Sequence, residues 1–433
     1  MDPNQKVPRR TALKGMAVAV GAAALLVSST GMVAAQGEYE GVTLRVLNQA
    51  GVGYEPALAQ YAEEFSAATG ATIEFDATPW ESLLTKAQAN VAAGGGQYDI
   101  MIGDVEFQYT LFPSLLPIQD LIAESGYSLD GLFAPALEYG EGIGGQEGVR
   151  YGLPVTSEVA PIFYRTDLIP EFPTTWEGYE QVLADLQDGG MEAPLAFAGV
   201  PAQLVKLFLA RYWSTGDPLL SPEWEPLVNS ENGLAAMNAL IRHKAFASPG
   251  VLAWDNPEAS QAFLNGDAAV LEGWGSFVLP GLNDPDVSKI GDNWAIAPYP
   301  EGGTGNFVQH NGIIFDASQN AQAAFDYLAY VTGRESALTS MQKFTVNSAR
   351  EELWSDPAVT GDDPWRPGYA AVINNGKPIT PGLPQWLDIF IGVMENASAA
   401  MAGTATPEEA VAQMAAKWEA SIAQAVPTYP YTE

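Results

Sequence analysis

Between residues 42 and 103, short apolar runs alternate with longer segments whose apolar side chains recur every three or four positions. Runs rich in Val, Ile, Leu and Phe favour strands, whereas the longer spacing is typical of helices that bury one face. Gly70 follows the first helical segment, where a left-handed terminal residue is favoured. The pattern predicts strands at 42–47, 71–75 and 98–102, and helices at 56–69 and 80–93. This order implies a parallel sheet with right-handed crossovers.

Residues 151–298 carry a second mixture of strand and helix patterns. A strand is predicted around Val159–Tyr164, and helices near 176–187, 202–213 and 233–245. Pro154 and Pro298 mark the transitions, as prolines do in many linkers and hinges. The sequence thus predicts a second α/β region.

The last helix has the clearest start signal. Thr406 supplies a capping side chain, Pro407 fits the first helical position, and Glu409 completes a capping box. The apolar residues that follow share one helical face: Val411, Met414, Ala415, Trp418 and Ile422. We interpret this face as core packing.

The N-terminus differs from the rest of the chain. Basic residues precede an apolar stretch from Gly15 to about Ser28, and Val33-Ala34-Ala35 then offers small residues for cleavage. This arrangement predicts a signal peptide over residues 1–35. An uncleaved anchor helix is the alternative, although the run is short for a membrane span and rich in Ala and Gly.

An arginine pair lies within the basic part of this segment. Arg9 and Arg10, followed by Leu13-Lys14, resemble a twin-arginine export signal, while Pro8 and Ala12 depart from its flanking pattern. That export route carries folded proteins, so folding would precede export.

The chain has 433 residues, of which 47% are hydrophobic, and it contains no cysteine. That length exceeds one ordinary core and predicts two lobes or domains. Without cysteine, disulfides, thiolate zinc sites, iron–sulfur clusters, a cysteine nucleophile and lipid attachment at an N-terminal cysteine are excluded. No later stretch approaches ~20 uninterrupted apolar residues, so we expect the exported chain to be soluble.

The formal net charge is −33 at pH 7. Removal of residues 1–35 leaves 15 basic and 51 acidic side chains, a net charge of about −36. A surface of this sign repels nucleic acid and anionic membranes, so neither is an expected partner. It suits a saline exterior, where screening is strong, and plain solubility explains it equally well.

Several segments match one family in the same order along roughly residues 42–425. They are Tyr151-Gly152-Leu153-Pro154 with Pro173-Thr174-Thr175-Trp176, Phe263–Trp274, Trp294–Pro300 with Gly312–Phe315, and Leu383-Pro384-Gln385-Trp386 before the capped helix. On these segments the chain resembles the extracellular solute-binding proteins of ATP-dependent importers. The resemblance is to the sugar-binding group that includes maltose-binding protein.

The resemblance implies an α/β, two-lobed periplasmic-binding-protein fold of type II, with a ligand cleft between the lobes. The chain would cross between lobes near Pro154, Pro298 and Val346. The implied lobes are 37–153 with 300–344, and 155–298 with 346–433.

The implied function is that of the substrate-binding component of an ABC transporter. Such a protein captures an extracytoplasmic carbohydrate by cleft closure and delivers it to permease subunits in the membrane. We expect a periplasmic or extracellular monomer without a lipid anchor, and no cofactor, metal or catalytic residue. A polyamine, a polyol, a phosphorylated polyol or a metal ion stays open as an alternative ligand on the same fold.

Candidate ligand residues lie first at the predicted strand ends, because ligands bind beyond the carboxyl ends of parallel strands. Glu106 and Asp104 follow the third strand, where the family places a carboxylate that contacts sugar hydroxyls. Asn48 and Tyr54 line the turn after the first strand. That turn lacks the charged pair of maltose-binding protein, which argues against maltodextrin itself.

Further candidates come from the second region. Glu158 matches a family glutamate near the hinge, and its charge-poor surroundings favour a partner or a ligand. Gly273 lets the backbone approach a ligand closely, and the family stacks a sugar on the tryptophan at Trp274.

Three more residues complete the candidate set. Trp386 matches another aromatic position of the family's cleft. Trp80 begins the second predicted helix, where core packing is an equal alternative, and His310 lies in a polar run, where a structural role is the alternative.

The rival function is that of an exported glycoside hydrolase, with Glu106 and Glu158 as its acid and base. These residues would come from opposite lobes and separate whenever the cleft opens, whereas a catalytic pair is held rigidly. The sequence also has no G-x-S-x-G or H-E-x-x-H motif. The G-x-G-x-x-G match at 140–145 has no strand before it and is interpreted as a turn.

Overall fold

The computed structural model describes residues 37–141, 148–282, 284–361, 365–378 and 385–423. The predicted signal peptide, most of the glycine-rich turn at 140–145, and Leu383-Pro384 lie outside these ranges. Within them, none of the helices combines the length and the apolar character that crossing a membrane requires.

The described residues form two sheets surrounded by helices. The strands are β1 (Thr43–Gln49), β2 (Thr72–Thr78), β3 (Ile100–Asp104), β4 (Gly152–Val159), β5 (Ile162–Arg165), β6 (Leu195–Phe197), β7 (Val270–Glu272), β8 (Trp294–Ala297), β9 (Asn306–Ile314) and β10 (Lys377–Pro378). The helices are α1 (Glu55–Thr69), α2 (Trp80–Ala92), α3 (Glu106–Leu111), α4 (Gln119–Ser125), α5 (Ala134–Glu138), α6 (Trp176–Asp188), α7 (Pro201–Trp213), α8 (Glu231–His243), α9 (Asn256–Leu264), α10 (Gly275–Leu282), α11 (Ala321–Thr332), α12 (Arg334–Lys343), α13 (Pro357–Thr360), α14 (Arg366–Asn374), α15 (Trp386–Ala402) and α16 (Pro407–Ile422).

The first sheet has the order β10-β9-β3-β1-β2, with β4 also paired to β9. Strands β1, β2 and β3 are parallel, which confirms the predicted β-α-β-α-β unit. Gly70 adopts the left-handed conformation after α1, at a φ of 82°, as predicted. Strand β9, which the pattern of residues 42–103 could not include, runs antiparallel to both β3 and β4, so the complete sheet is mixed.

The strand predicted around Val159–Tyr164 has the wrong bounds. The structure has β4 ending at Val159 and β5 beginning at Ile162. Pro161 lies between them, and a proline has no N–H with which to continue a ladder. Within β4 the pairing with β9 shifts register between Pro154 and Thr156, a further effect of a proline in a strand.

The second sheet has the order β6-β7-β5-β8. Strands β6 and β7 are parallel, and β5 is antiparallel to both β7 and β8. The chain passes from the first sheet to the second between β4 and β5, and returns between β8 and β9. The two sheets confirm the mixed α/β class, while the lobe boundaries and hinge positions stay predictions.

The C-terminal helix begins as predicted. The Thr406 hydroxyl accepts a hydrogen bond from the Glu409 backbone N–H at 3.1 Å, and Glu409 accepts one from the Thr406 N–H at 2.9 Å. Trp418 is fully buried, and its indole N–H donates to the carbonyl oxygen of Ile389 on α15 at 3.0 Å. The apolar face of α16 therefore packs in the core, as the sequence indicated.

A buried ionic network holds the second sheet to its helices. Arg211 on α7 forms two hydrogen bonds with Glu272 on β7, at 2.8 and 2.9 Å, and both side chains are almost completely buried. The Tyr179 hydroxyl donates to the same carboxylate at 2.8 Å. Arg211 also donates to Nδ1 of His243 at 3.0 Å, while His243 Nε2 lies 3.0 Å from Glu180 Oε1. His243 is thus held neutral, accepting at Nδ1 and donating at Nε2.

The contribution of His243 to stability should fall as the pH drops from 7 to 5, because this side chain resists protonation in the folded state. Burial, followed by the charge of Arg211, lowers the pKa of His243 from 6.5 to about 4. The unfolded chain therefore binds more protons below pH 6.5, and this group should cost about 2 kcal/mol of stability between pH 7 and 5. Urea unfolding at several pH values measures the effect. Relative to the His243→Gln variant, the wild-type protein should lose about this much stability between pH 7 and pH 5, and parallel curves for the two proteins would contradict the assignment.

Candidate functional site

In each sheet, the carboxyl ends of the parallel strands lie near β4 or β9. We call β4 and β9 the connecting strands, because the chain passes between the two sheets after β4 and before β9. Strand β3 ends at Asp104, which pairs in register with His310 on the connecting strand β9. Strand β7 ends at Glu272, and shortly after it the Ser276 backbone N–H donates to Glu158 on the connecting strand β4, at 2.5 Å. Ligands of α/β sheets bind beyond such strand ends. The region between the two edges is therefore the candidate cleft.

On the side of the cleft that the first sheet forms, which we call the first wall, several polar side chains contact one another in sequence. The Trp80 indole N–H donates to the Asp104 carboxylate. His310 Nε2 lies 3.0 Å from Asp104 Oδ1, and Nδ1 of the same ring lies 2.8 Å from the Thr156 hydroxyl. The structure thus brings together Trp80, Asp104 and His310, three of the predicted residues. Tyr54 packs edge-on against His310 with ring centroids 5.6 Å apart, and its hydroxyl donates inward to Ile102.

Asn48 and Glu106 lie on the same side of the molecule but are buried. The Asn48 Oδ1 atom has no hydrogen-bond partner among the described residues. Burial first, and then the neighbouring charge of Asp104, raises the pKa of Glu106 well above its usual value, and hydrogen bonding to Tyr139 opposes this only in part. Burial therefore favours the protonated form of Glu106, in which the carboxyl group can donate a hydrogen bond.

Glu158 lies near the end of β4 and contacts the side of the cleft that the second sheet forms, which we call the second wall. Its carboxylate accepts from the backbone N–H of Ser276 in the first turn of α10, and from Asn347 Nδ2 at 3.4 Å. Burial raises its pKa, and the bonds to Ser276 together with the nearby His310 and Lys206 lower it by less. Glu158 therefore ties β4 to the start of α10, which positions the residues between β7 and α10.

The residues between β7 and α10 are Gly273 and Trp274, and Gly275 is the first residue of α10. Trp274 is half-buried, and its indole N–H donates to Gln203 Oε1 at 3.0 Å. Gly275 has no room for a side chain, because a Cβ there would stand 2.6 Å from the Tyr369 hydroxyl oxygen. That hydroxyl in turn donates to the Val159 carbonyl at 2.8 Å. The backbone after Trp274 is therefore held close to the end of β4.

Lys206 on α7 is a site residue that the sequence did not predict. Its ammonium donates to Gln203 Oε1 at 2.8 Å and lies 5.0 Å from the centre of the Trp274 ring. The signal was a single lysine within the apolar run Leu204–Leu209, which the helix pattern alone assigned to the core. Burial of a lysine beside the end of a parallel strand indicates a functional role, which the helix pattern alone did not suggest.

Four aromatic residues, Trp80, Phe107, Trp386 and Phe390, form what we call the aromatic bridge. The ring centroids of Trp80 and Phe390 are 5.6 Å apart, and those of Phe107 and Trp386 are 5.7 Å apart. The bridge joins α2 and α3 beside the first sheet to the start of α15. Trp386 is only 2% exposed, so it packs here rather than presenting a free face, and its indole N–H has no acceptor among the described residues.

Across the described ranges, no three His, Asp or Glu side chains are grouped so that they could hold a metal ion. In the candidate cleft, carboxylates, a histidine and amides surround a partly exposed indole, a set of groups that suits an organic ligand with several hydroxyl groups.

The fold and the sequence both match proteins of one kind. The model of the family described as bacterial extracellular solute-binding protein matches residues 51–338. A probable amino-acid ABC transporter periplasmic-binding protein from Sinorhizobium fredii is 25% identical over 398 residues, covering 88% of this chain and 89% of its own.

Solved structures give the same result for the fold. Maltose-bound MalE3 from T. maritima has a TM-score of 0.78 and 18% identity, covering 87% of this chain and 99% of its own. A solute-binding protein from Agrobacterium radiobacter in complex with ribitol has a TM-score of 0.77 and 20% identity, covering 88% and 99%. These proteins share the type II two-lobed fold predicted from the sequence.

The matching family is defined by solute binding and not by catalysis, in agreement with the prediction that the chain is not an enzyme. Since the family model covers residues 51–338, more than half of the chain, the protein is a member of the bacterial extracellular solute-binding protein family.

Proposed function

We propose that the protein captures a sugar or polyol in the cleft and delivers it to the permease of an ABC importer. The observation that carries the proposal is the half-buried Trp274 at the end of β7, with hydrogen-bonding groups around it. An indole face suits the C–H face of a sugar, while Asp104 and His310 suit its hydroxyls. The relatives that bind maltose and ribitol support this ligand class.

The mechanism that we propose is closure of the cleft. Contacts to the first wall through Asp104 and His310, and to the second through Trp274, are made together only when the cleft is closed. A ligand that touches both walls therefore favours the closed state by the free energy of those joint contacts. The aromatic bridge adds apolar contacts between the same two sides.

A thermal-shift screen tests the ligand class. The panel contains maltose, ribitol, D-mannitol and D-tagatose, with spermidine, glutamate and glycine for the competing classes. A ligand present at 100 times its dissociation constant should add about 2.7 kcal/mol to the free energy of unfolding. Stabilisation by spermidine or an amino acid alone would contradict the proposal. Release of a new sugar product, seen by chromatography, would identify a hydrolase instead.

We further propose that residues 1–35 are a cleaved twin-arginine signal peptide, and that the mature protein is a monomer without a lipid anchor. The basis is the Arg9-Arg10 pair, the apolar run after it and the absence of cysteine. Protein for the screen can be collected from the periplasm of an expressing host. Its N-terminal sequence and its elution volume then test cleavage and the monomeric state in the same preparation.

A further inference from the structure

Lys206 is a buried lysine that forms no ion pair with any of the described residues. It is 2% exposed, and its two described acceptors are the neutral amide oxygens of Gln203, at 2.8 Å, and Asn256, at 3.2 Å. An ammonium has three N–H donors, so one of them has no acceptor among the described residues. Burial of a charge without an opposite charge is costly, and such groups are retained where they serve a function.

The acids that face Lys206 are each engaged elsewhere. Glu158 on β4 accepts from the Ser276 backbone, and Glu272 on β7 is paired with Arg211. Asp255, before α9, caps that helix by accepting from the Asn256 N–H at 2.8 Å. These three charges act on Lys206 from a distance and do not fully offset its burial, which lowers the pKa of Lys206 to about 7.

The position of Lys206 relates this charge to the cleft. Its ammonium lies 5.0 Å from the centre of the Trp274 ring, and Gln203 Oε1 accepts from both side chains, at 2.8 and 3.0 Å. Gln203 thus fixes the ammonium and the indole relative to each other. The predicted stacking surface for the ligand and the unpaired positive charge are therefore neighbours in one wall.

We propose that Lys206 is a specificity-determining residue that binds the carboxylate of a polyhydroxylated ligand, so that the solute is a sugar acid. The inference rests on the proposed function and narrows it. The carboxylate supplies the missing opposite charge and accepts the third N–H, while the C–H face of the ligand lies on Trp274 and its hydroxyls reach the first wall. A neutral sugar leaves the ammonium uncompensated.

Matched pairs of ligands test the proposal by isothermal titration calorimetry. D-gluconate is compared with D-glucitol, and D-galacturonate with D-galactose, because the members of each pair differ by one carboxylate. The wild-type protein should bind the acid of at least one pair about tenfold or more tightly than its neutral partner at pH 6, a difference of about 1.4 kcal/mol. Lys206→Met should lose this preference, so that the two members of the pair bind the variant with affinities within about threefold of each other.

Proton uptake provides a second readout that does not depend on a variant. A carboxylate beside Lys206 favours its charged form, so binding of the acid at pH 7.5 should take up part of a proton. The observed binding enthalpy should therefore differ between phosphate and Tris buffers, and the difference should vanish for the neutral ligand. A lysine with only a structural role would not produce this dependence.

The outcomes separate this proposal from the broader one. Binding of neutral sugars or polyols with equal or weaker binding of the acids overturns the role of Lys206 and leaves the proposed function intact. A preference for the acid that Lys206→Met retains also overturns it, since the carboxylate would then lie elsewhere. Failure of every sugar, polyol and sugar acid to bind overturns both proposals.

Discussion

Replacement of Arg211 with methionine should lower the free energy of unfolding by about 3–5 kcal/mol. The variant leaves the fully buried Glu272 without the two hydrogen bonds of 2.8 and 2.9 Å that now balance its charge. Burial alone would raise the pKa of Glu272, and Arg211 together with His243 and Tyr179 holds it below the usual value. In the variant that carboxyl should take up a proton, so the loss of stability should be smaller at pH 5 than at pH 8.

The matched control is Lys417→Met, which breaks an exposed ion pair. Lys417 Nζ lies 2.6 Å from Glu395 Oε2 on the surface of the C-terminal helices. Such a pair contributes about 0–1 kcal/mol, so the control should unfold close to the wild-type urea concentration. If the two substitutions lowered the free energy of unfolding equally, the buried Arg211–Glu272 pair would contribute no more to stability than an exposed ion pair. A double variant, Arg211→Met with Glu272→Leu, should recover part of the loss, because it removes the unpaired charge.

Much of the fold could be predicted because its signals are local. The spacing of apolar residues and Gly70 determine the first β-α-β-α-β unit, and the capping box at Thr406 determines the start of the last helix. The antiparallel strand β9 could not be assigned to this sheet, because it joins strands about 200 positions earlier. The polar run around His310 also hides this strand, whose middle residue His310 pairs with Asp104 at the candidate cleft.

The candidate site was predicted in part, for a related reason. Strand-end position identified Asp104, whereas flanking glycine and the family resemblance identified Trp274. Asp104 pairs with His310 on β9, and the backbone shortly after Trp274 donates to Glu158 on β4. Lys206 was missed, because its neighbours in the sequence are apolar and its partners, Gln203 and Trp274, become neighbours only through folding. Trp386 shows the converse, since resemblance suggested an open stacking face and packing on Phe107 occupies it.

The connecting strand β4 explains how the two walls act together. On one side of the cleft Thr156 holds His310, and two positions later Glu158 holds the start of α10. This strand therefore bears contacts to both walls. We propose that it couples the position of Trp274 to the orientation of His310 when the cleft closes.

Replacement of Trp274 with alanine should weaken binding of the tightest ligand of the panel by about 100-fold, or about 2.7 kcal/mol. The change removes the stacking surface and also leaves Gln203 and Lys206 without the indole that they contact. Isothermal titration calorimetry measures the loss, and far-UV circular dichroism checks that the variant is folded. The affinity of Trp274→Phe should lie between those of the wild-type protein and Trp274→Ala, because phenylalanine keeps an aromatic face but lacks the N–H that donates to Gln203.

A second tryptophan provides the matched control. Trp294 on β8 packs against Phe163 and Trp365, with ring centroids 6.3 and 6.1 Å away, at the edge of the second sheet. Trp294→Ala should therefore reduce stability by about 1–3 kcal/mol through lost packing and leave affinity unchanged. Wild-type affinity in Trp274→Ala, or an equal loss in both variants, would show that the ligand does not stack on Trp274. A loss of affinity in Trp274→Ala that is absent in Trp294→Ala is the result expected if the indole face of Trp274 lines the cleft.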